Sequence, residues 1–130
     1  MQDITQCSTG KKYVTKIPIA MYGCTLHFII TTDVAIAVNK LYKKFKYEDE
    51  VFSDLVEGCL ITFDIDAYYV FIECKYLTFN TLSHELYHAT VKITEDRGIE
   101  DEEQRAWLCG WMTERVYSFI RKKELTISNG

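Results

Sequence analysis

Residues 81–89 read Thr81-Leu82-Ser83-His84-Glu85-Leu86-Tyr87-His88-Ala89, and they carry two of the chain's three histidines in one H-E-x-x-H segment. On an α-helix a four-residue step advances about one turn, so His84 and His88 leave the same face and can bind one cation. Glu85, one step round, can hold a water beside it. The spacing predicts a helix bearing a divalent metal site, with Zn2+ as the expected ion. The bland alternative is a pair of helical histidines on a solvated or core face. The flanking letters agree with a helix: Asn80-Thr81 offers an N-cap, and Leu82, Leu86, Ala89 and Ile93 supply an apolar side. Thr90, Val91, Ile93 and Thr94 are β-branched and Gly98 is a natural terminator, so this helix is expected to end between 93 and 97.

Downstream, Asp101 with Gln104 resembles a capping box, and the run from Glu102 to about Lys123 carries Trp107, Trp111, Met112, Val116, Phe119 and Ile120. A second, largely buried helix is expected there, with Cys109-Gly110 permitting close helix approach. Upstream, Tyr13–Met21 and Thr25–Thr32 are β-branched and aromatic and are separated by Tyr22-Gly23-Cys24, which predicts a hairpin. Asp33 is placed to cap a helix through Val34, Ala37, Val38, Leu41, Tyr42 and Phe45. Two further strand-like runs, Cys59–Ile65 and Tyr68–Cys74, meet at Asp66-Ala67 as a second hairpin. The expected fold is α+β: a small antiparallel or mixed sheet of about four strands packed on three helices, the motif lying on the second. One domain spanning 1–130 is expected, with frayed ends near 1–10 and 126–130.

Composition narrows the function classes. A chain of 130 residues with 48% hydrophobic and 14% aromatic content builds one real core and is short for two. A net charge of −4 lacks the basic footprint of phosphate-backbone binding, so no nucleic-acid partner is expected. Lys40, Lys43, Lys44 and Lys46, followed by Glu48, Asp49 and Glu50, read as a solvated helix end. Cys7, Cys24, Cys59, Cys74 and Cys109 form no C-x-x-C pair and read as free thiols in a reducing compartment. With no apolar leader and no long uncharged apolar run, a cytoplasmic protein without a membrane partner is expected.

A catalytic zinc usually has three protein ligands, so the two histidines leave one to find. Glu103, at the start of the next helix, is the choice, because Ala106 and Gly110 follow on what would be a small, core-facing stripe. Glu102 is the rival, about 100° away round the axis. The remaining acids, Glu100 and Asp101 among them, are accounted for by the helix dipole. An early stop of the motif helix is a condition, since a straight run to Gly98 overshoots Glu103 by roughly two turns. With the site formed, Glu85 would act as general base on a water and pass its proton to a leaving amine, which is amide hydrolysis. Tyr87, Tyr117 and His27 are the available oxyanion donors, and each has an ordinary structural reading as well.

Thr81–Ala89 together with Glu103-Gln104-Arg105-Ala106 resembles the zincin-like metallopeptidases of the gluzincin type, over about 45 residues. The second segment is similar to the E-x-x-A opening of the third-ligand helix in small intracellular members, and short phage and prophage proteins look like this. The resemblance implies His84, His88 and Glu103 as zinc ligands, Glu85 as the catalytic base, and a peptide or protein substrate held by an edge strand. Tyr68–Cys74 or Cys59–Ile65 is the candidate for that strand. The metzincin extension, a second lobe and a cysteine zinc ribbon are all missing. The rival from another class is a catalytically inactive binding module of the same fold, with zinc structural. A third reading is an α+β protein without metal.

Overall fold

The computed structural model describes residues 11–47 and 56–128. Strands β1 (Lys12–Ile19) and β2 (Cys24–Thr31) form the first hairpin, turning through a short 3-10 segment that ends at Gly23. Gly23 has φ 65°, the left-handed conformation that a residue without Cβ adopts cheaply. Helix α1 (Val34–Lys44) starts at Asp33, whose Oδ1 accepts the Ile36 N–H at 3.1 Å. Strands β3 (Gly58–Thr62) and β4 (Ala67–Glu73) form the second hairpin, followed by helices α2 (Phe79–Glu95) and α3 (Glu102–Lys122).

The sheet is mixed, in the order β1-β2-β4-β3, because β4 inserts beside β2 in parallel and leaves β3 outermost. Burial follows position. The five residues Tyr68–Ile72 of central β4 are all buried, as expected of a strand covered on both faces, whereas edge strand β1 alternates between exposed and covered positions. On one face Leu26, Phe28, Ile30, Val70 and Ile72 meet Leu86 and Ile93 of α2 and Met112 and Val116 of α3. On the other, Ile29, Tyr69 and Phe71 meet Val34, Ala37 and Val38 of α1. Each fully buried aliphatic side chain contributes about 1.5–3 kcal/mol by leaving water. Among the described residues no helix is long and apolar enough to cross a membrane.

Several expectations are corrected. The cap of α2 is Thr78, whose Oγ1 accepts the Thr81 N–H at 3.0 Å, so the helix starts two to three residues before Asn80-Thr81 would place it. Helix α3 is not largely buried: only Leu108, Met112, Val116 and Ile120 are, a single i, i+4 stripe, and Trp107 is half exposed. Ala106 and Gly110 lie on the exposed side, and a Cβ at Gly110 would meet nothing within 4 Å. Gly110 therefore permits no close helix approach. Asp101 does cap α3, through the Glu103 N–H at 3.0 Å, while Gln104 serves as acceptor for the Tyr22 hydroxyl instead of closing a box. The tail is held further than expected: Leu125 is buried, and the Ser128 N–H donates to the Leu77 carbonyl at 2.9 Å. Cys24, Cys59 and Cys109 are free thiols, but Cys74 is disulfide-bonded, a pairing that linear spacing does not reveal. The argument from free thiols to a reducing compartment therefore does not extend to Cys74.

A partly buried polar strut fixes the far end of α2. Arg97 donates to the carbonyls of Tyr22 (2.8 Å), Ile93 (3.2 Å) and Ile65 and to the Tyr68 hydroxyl (2.8 Å), which in turn donates to Asp96 at 2.7 Å. Both hairpin turns are thereby tied to one helix end. Burial, then the hydrogen bond to Asp96, pushes the Tyr68 hydroxyl up to about 12. The neutral hydroxyl contributes its full stability below its ordinary value of 10, and the contribution is lost as pH rises through about 12. Tyr68→Phe should cost about 1–3 kcal/mol in urea unfolding at neutral pH. Its stability should also fall less steeply than the wild type's between pH 10 and 12.

Candidate metal centre

Helix α2 lies on the sheet with Leu82, Leu86, Ala89 and Ile93 inward, and that phase decides where the motif points. His84 and His88, at least one position off that stripe, emerge into solvent on one face. Their Nε2 atoms stand 3.0 Å apart and the rings are nearly perpendicular at 83°. Two imidazoles bound to one tetrahedral zinc hold their nitrogens about 3.3 Å apart, so small rotations bring this pair to a shared ion.

Glu85 falls on the boundary between the two faces and is only 7% exposed. Among the described residues no hydrogen bond reaches its carboxylate, and burial raises its pKa, with His84 and His88 partly opposing the rise. A buried, unpartnered carboxylate is costly, and such groups in folded proteins normally have a missing partner such as water or an ion. The residues thus fit a cation: two converging imidazole donors beside an acid that has no hydrogen-bond donor among the described residues.

The wall over Glu85 is the edge strand. The Thr81 hydroxyl donates to Glu57 at 3.0 Å, and the Glu57 carbonyl accepts the Glu73 N–H at 2.8 Å, so the start of β3 is fastened both to α2 and to β4. Gly58 is then directly above the base. A Cβ there would lie 2.9 Å from the Phe71 carbonyl oxygen and 3.0 Å from Glu85 Cγ, closer than side chains tolerate. An open cleft of about 390 Å³ follows, lined by Leu60 of β3 and by Glu85, His88, Val91, Lys92 and Glu95 of α2. Burial and the Glu85 charge push the thiol of Cys59, next along β3, up to about 12.

The structure brings together His84, Glu85 and His88. Glu103 is exposed in the first turn of α3, on the side with Ala106 and Gly110, which corrects the expected core-facing stripe. Arg105 donates to the Thr94 hydroxyl and the Ile99 carbonyl, both at 2.9 Å, setting this end of α3 against the C-terminal end of α2. Thr94 is roughly 9 Å along the axis from His88. Among the described residues no three His, Cys, Asp or Glu side chains gather as a metal group. Of the oxyanion candidates, His27 stacks on Tyr69 at 4.4 Å on the opposite face of the sheet, and neither Tyr87 nor Tyr117 lines the cleft. Gly58, Leu60, Lys92 and Glu95 escaped the sequence reading as cleft residues. Lys92 was accessible as the i+4 neighbour of His88, and a glycine inside a strand pattern signals close approach.

No family model, no curated protein and no solved structure matches this chain. The site's own geometry therefore carries the functional argument. Gly58→Ala should lower stability by about 1–3 kcal/mol, because the neighbouring Phe71 carbonyl and Glu85 must both shift. Gly110→Ala, in an open helix interior, should raise it by about 0.5–1 kcal/mol. Opposite signs in parallel urea titrations check the two placements.

Proposed function

We propose that the chain is a zinc-dependent hydrolase of zincin-like build, a metallopeptidase that cleaves a peptide bond with Glu85 as general base. The observation that carries this reading is the buried Glu85 carboxylate, without a hydrogen-bond partner among the described residues, next to two imidazoles whose Nε2 atoms converge to 3.0 Å. His84 and His88 would supply two donors to the ion, and Glu103 is proposed as the third on the E-x-x-A resemblance alone. A zinc ion held there supplies Lewis acidity towards water and a substrate carbonyl.

Glu85 takes a proton from water as the oxygen attacks the carbonyl carbon, and returns it to the amine nitrogen as the C–N bond breaks. Its raised pKa favours both halves, since a base nearer neutrality accepts and releases a proton more readily. The zincin-like assignment is supported by the mixed sheet whose outermost strand, β3, flanks the motif helix across the cleft. Of the two strands considered, only β3 is outermost among the described strands, so the substrate would run along it in extended form. Shelter for the reaction comes from Gly58 and Leu60 above the base.

The second reading is a binding module of the same build with structural zinc, a site that would need a fourth protein ligand in place of an open position. The two readings part at Glu85. In a zinc-supplemented casein-peptide assay Glu85→Gln should retain zinc and fold while losing at least a hundredfold in turnover. Undiminished turnover in that variant rules out Glu85 as the base, and no turnover in the wild type favours the binding module. In the same series His84→Ala and Glu103→Ala should lower zinc content after dialysis, and Glu102→Ala should not. Full zinc retention by Glu103→Ala would remove it from the site.

A further inference from the structure

Helix α3 spends one stripe on the core and turns another outward. Glu103, Trp107, Gly110, Glu114, Tyr117 and Arg121 are all exposed and recur in alternating steps of four and three residues, the 3.5-residue period of a coiled-coil seam. Trp107 is 50% exposed and Tyr117 42%, and large rings lined up on one exposed helix face mark an interaction surface. Trp107 stacks on Trp111 at 6.1 Å, Arg115 lies over the Trp111 ring at 4.7 Å, and Arg121 lies over the Tyr117 ring at 5.9 Å. On one flank Trp111 and Phe119 floor an open groove of about 690 Å³ between β1 and α3, which widens the uncovered apolar surface. The two ends of the helix are opposite in charge: Glu102 and Glu103 stand in its first turn, Arg121 and Lys122 in its last.

We infer that α3 docks against α3 of a second copy of this chain, antiparallel about a two-fold axis level with Met112, setting each Arg121 against the other copy's Glu102 and Glu103 and each Trp107 against the other copy's Tyr117. The seam is self-complementary in this register. Residues 103 and 121, 107 and 117, and 110 and 114 each have Met112 as their midpoint, so antiparallel pairing brings acid to base, ring to ring and Gly110 to Glu114. Gly110 has no side chain, which leaves the Glu114 carboxylate a path to water. Parallel pairing is opposed, because it sets Glu103 on Glu103 and Arg121 on Arg121 and aligns the helix dipoles. A different protein would have to supply the same order of charges and rings, whereas a second copy has it by construction. The contact does not depend on hydrolysis. Arg121 faces two carboxylates, so the contact does not hang on Glu103 alone, which the zinc reading also claims.

Sedimentation velocity of the full chain over a range of concentrations tests this, with far-UV circular dichroism to show that each variant is folded. A reversible dimer is expected. The chain's two tryptophans both belong to α3, so their emission should shift to the blue as the dimer forms. Arg121→Glu alone and Glu102→Arg/Glu103→Arg alone should each weaken association at least tenfold, and an equimolar mixture of the two variants should restore it, since each then meets its opposite charge at both ends. Trp107→Ala/Tyr117→Ala leaves every charge in place and should also lose at least tenfold. Glu85→Gln should associate as the wild type does, which separates this contact from the hydrolase reading. A wild-type chain that stays monomeric throughout overturns the inference, as does undiminished association in the charge or ring variants, or a mixture that remains monomeric. A blue shift with phosphatidylserine vesicles in the absence of a dimer assigns the face to a lipid surface and overturns the second copy as its occupant.

Discussion

The rotational phase of α2 on the sheet is the constraint from which the rest follows. Four apolar side chains, Leu82, Leu86, Ala89 and Ile93, can face the core at one orientation only, and that orientation turns His84 and His88 outward and leaves Glu85 at the margin. Turning the helix by one residue, about 100°, would bury an imidazole and expose Leu86. The core thus aims the motif. The arginine strut at the other end prevents drift, since Arg97 joins α2 to both hairpin turns through four acceptors.

That placement has an energetic consequence. A carboxylate 7% exposed with no hydrogen-bond donor among the described residues opposes folding, and hydrophobic burial elsewhere has to offset it. Groups held at such expense are concentrated at functional sites, where the raised pKa is the useful property. Gly58 belongs to the same arrangement. Its missing Cβ lets the edge strand descend onto Glu85, which both desolvates the carboxylate and forms the cleft wall. One glycine therefore links the fold of β3 to the acidity of a residue on α2.

Much of this was legible in the letters wherever it depended on short-range periodicity. The two hairpins, the Asp33 and Asp101 caps, the end of α2 at Glu95 and the shared face of His84 and His88 all follow from local spacing. What depended on packing between elements was not. The parallel pairing of β2 with β4 is a long-range choice, and it decides that β3, not β4, is outermost among the described strands. The apolar letters of α3 include Trp107 and Tyr117, large rings that are half exposed here, so counting hydrophobic residues exaggerated its burial. The same error turned the Glu103, Ala106 and Gly110 stripe inward when the packed stripe is Leu108, Met112, Val116 and Ile120. Cys74 illustrates the limit most simply, because a disulfide is set by distance in space.

The molecule therefore presents two unlike edges: a histidine pair and a buried acid beside β3, and an aromatic-floored groove between β1 and α3. Only the first has the chemistry of a reaction centre, and that account stands on a cation shared by His84 and His88. X-ray absorption at the zinc edge of the metal-loaded protein tests it most directly. The expected spectrum shows two imidazoles in a shell of nitrogen and oxygen at about 2.0–2.1 Å with no sulfur at about 2.3 Å. A sulfur shell, a spectrum without imidazole scattering, or a wild-type protein that retains no zinc after dialysis would contradict it.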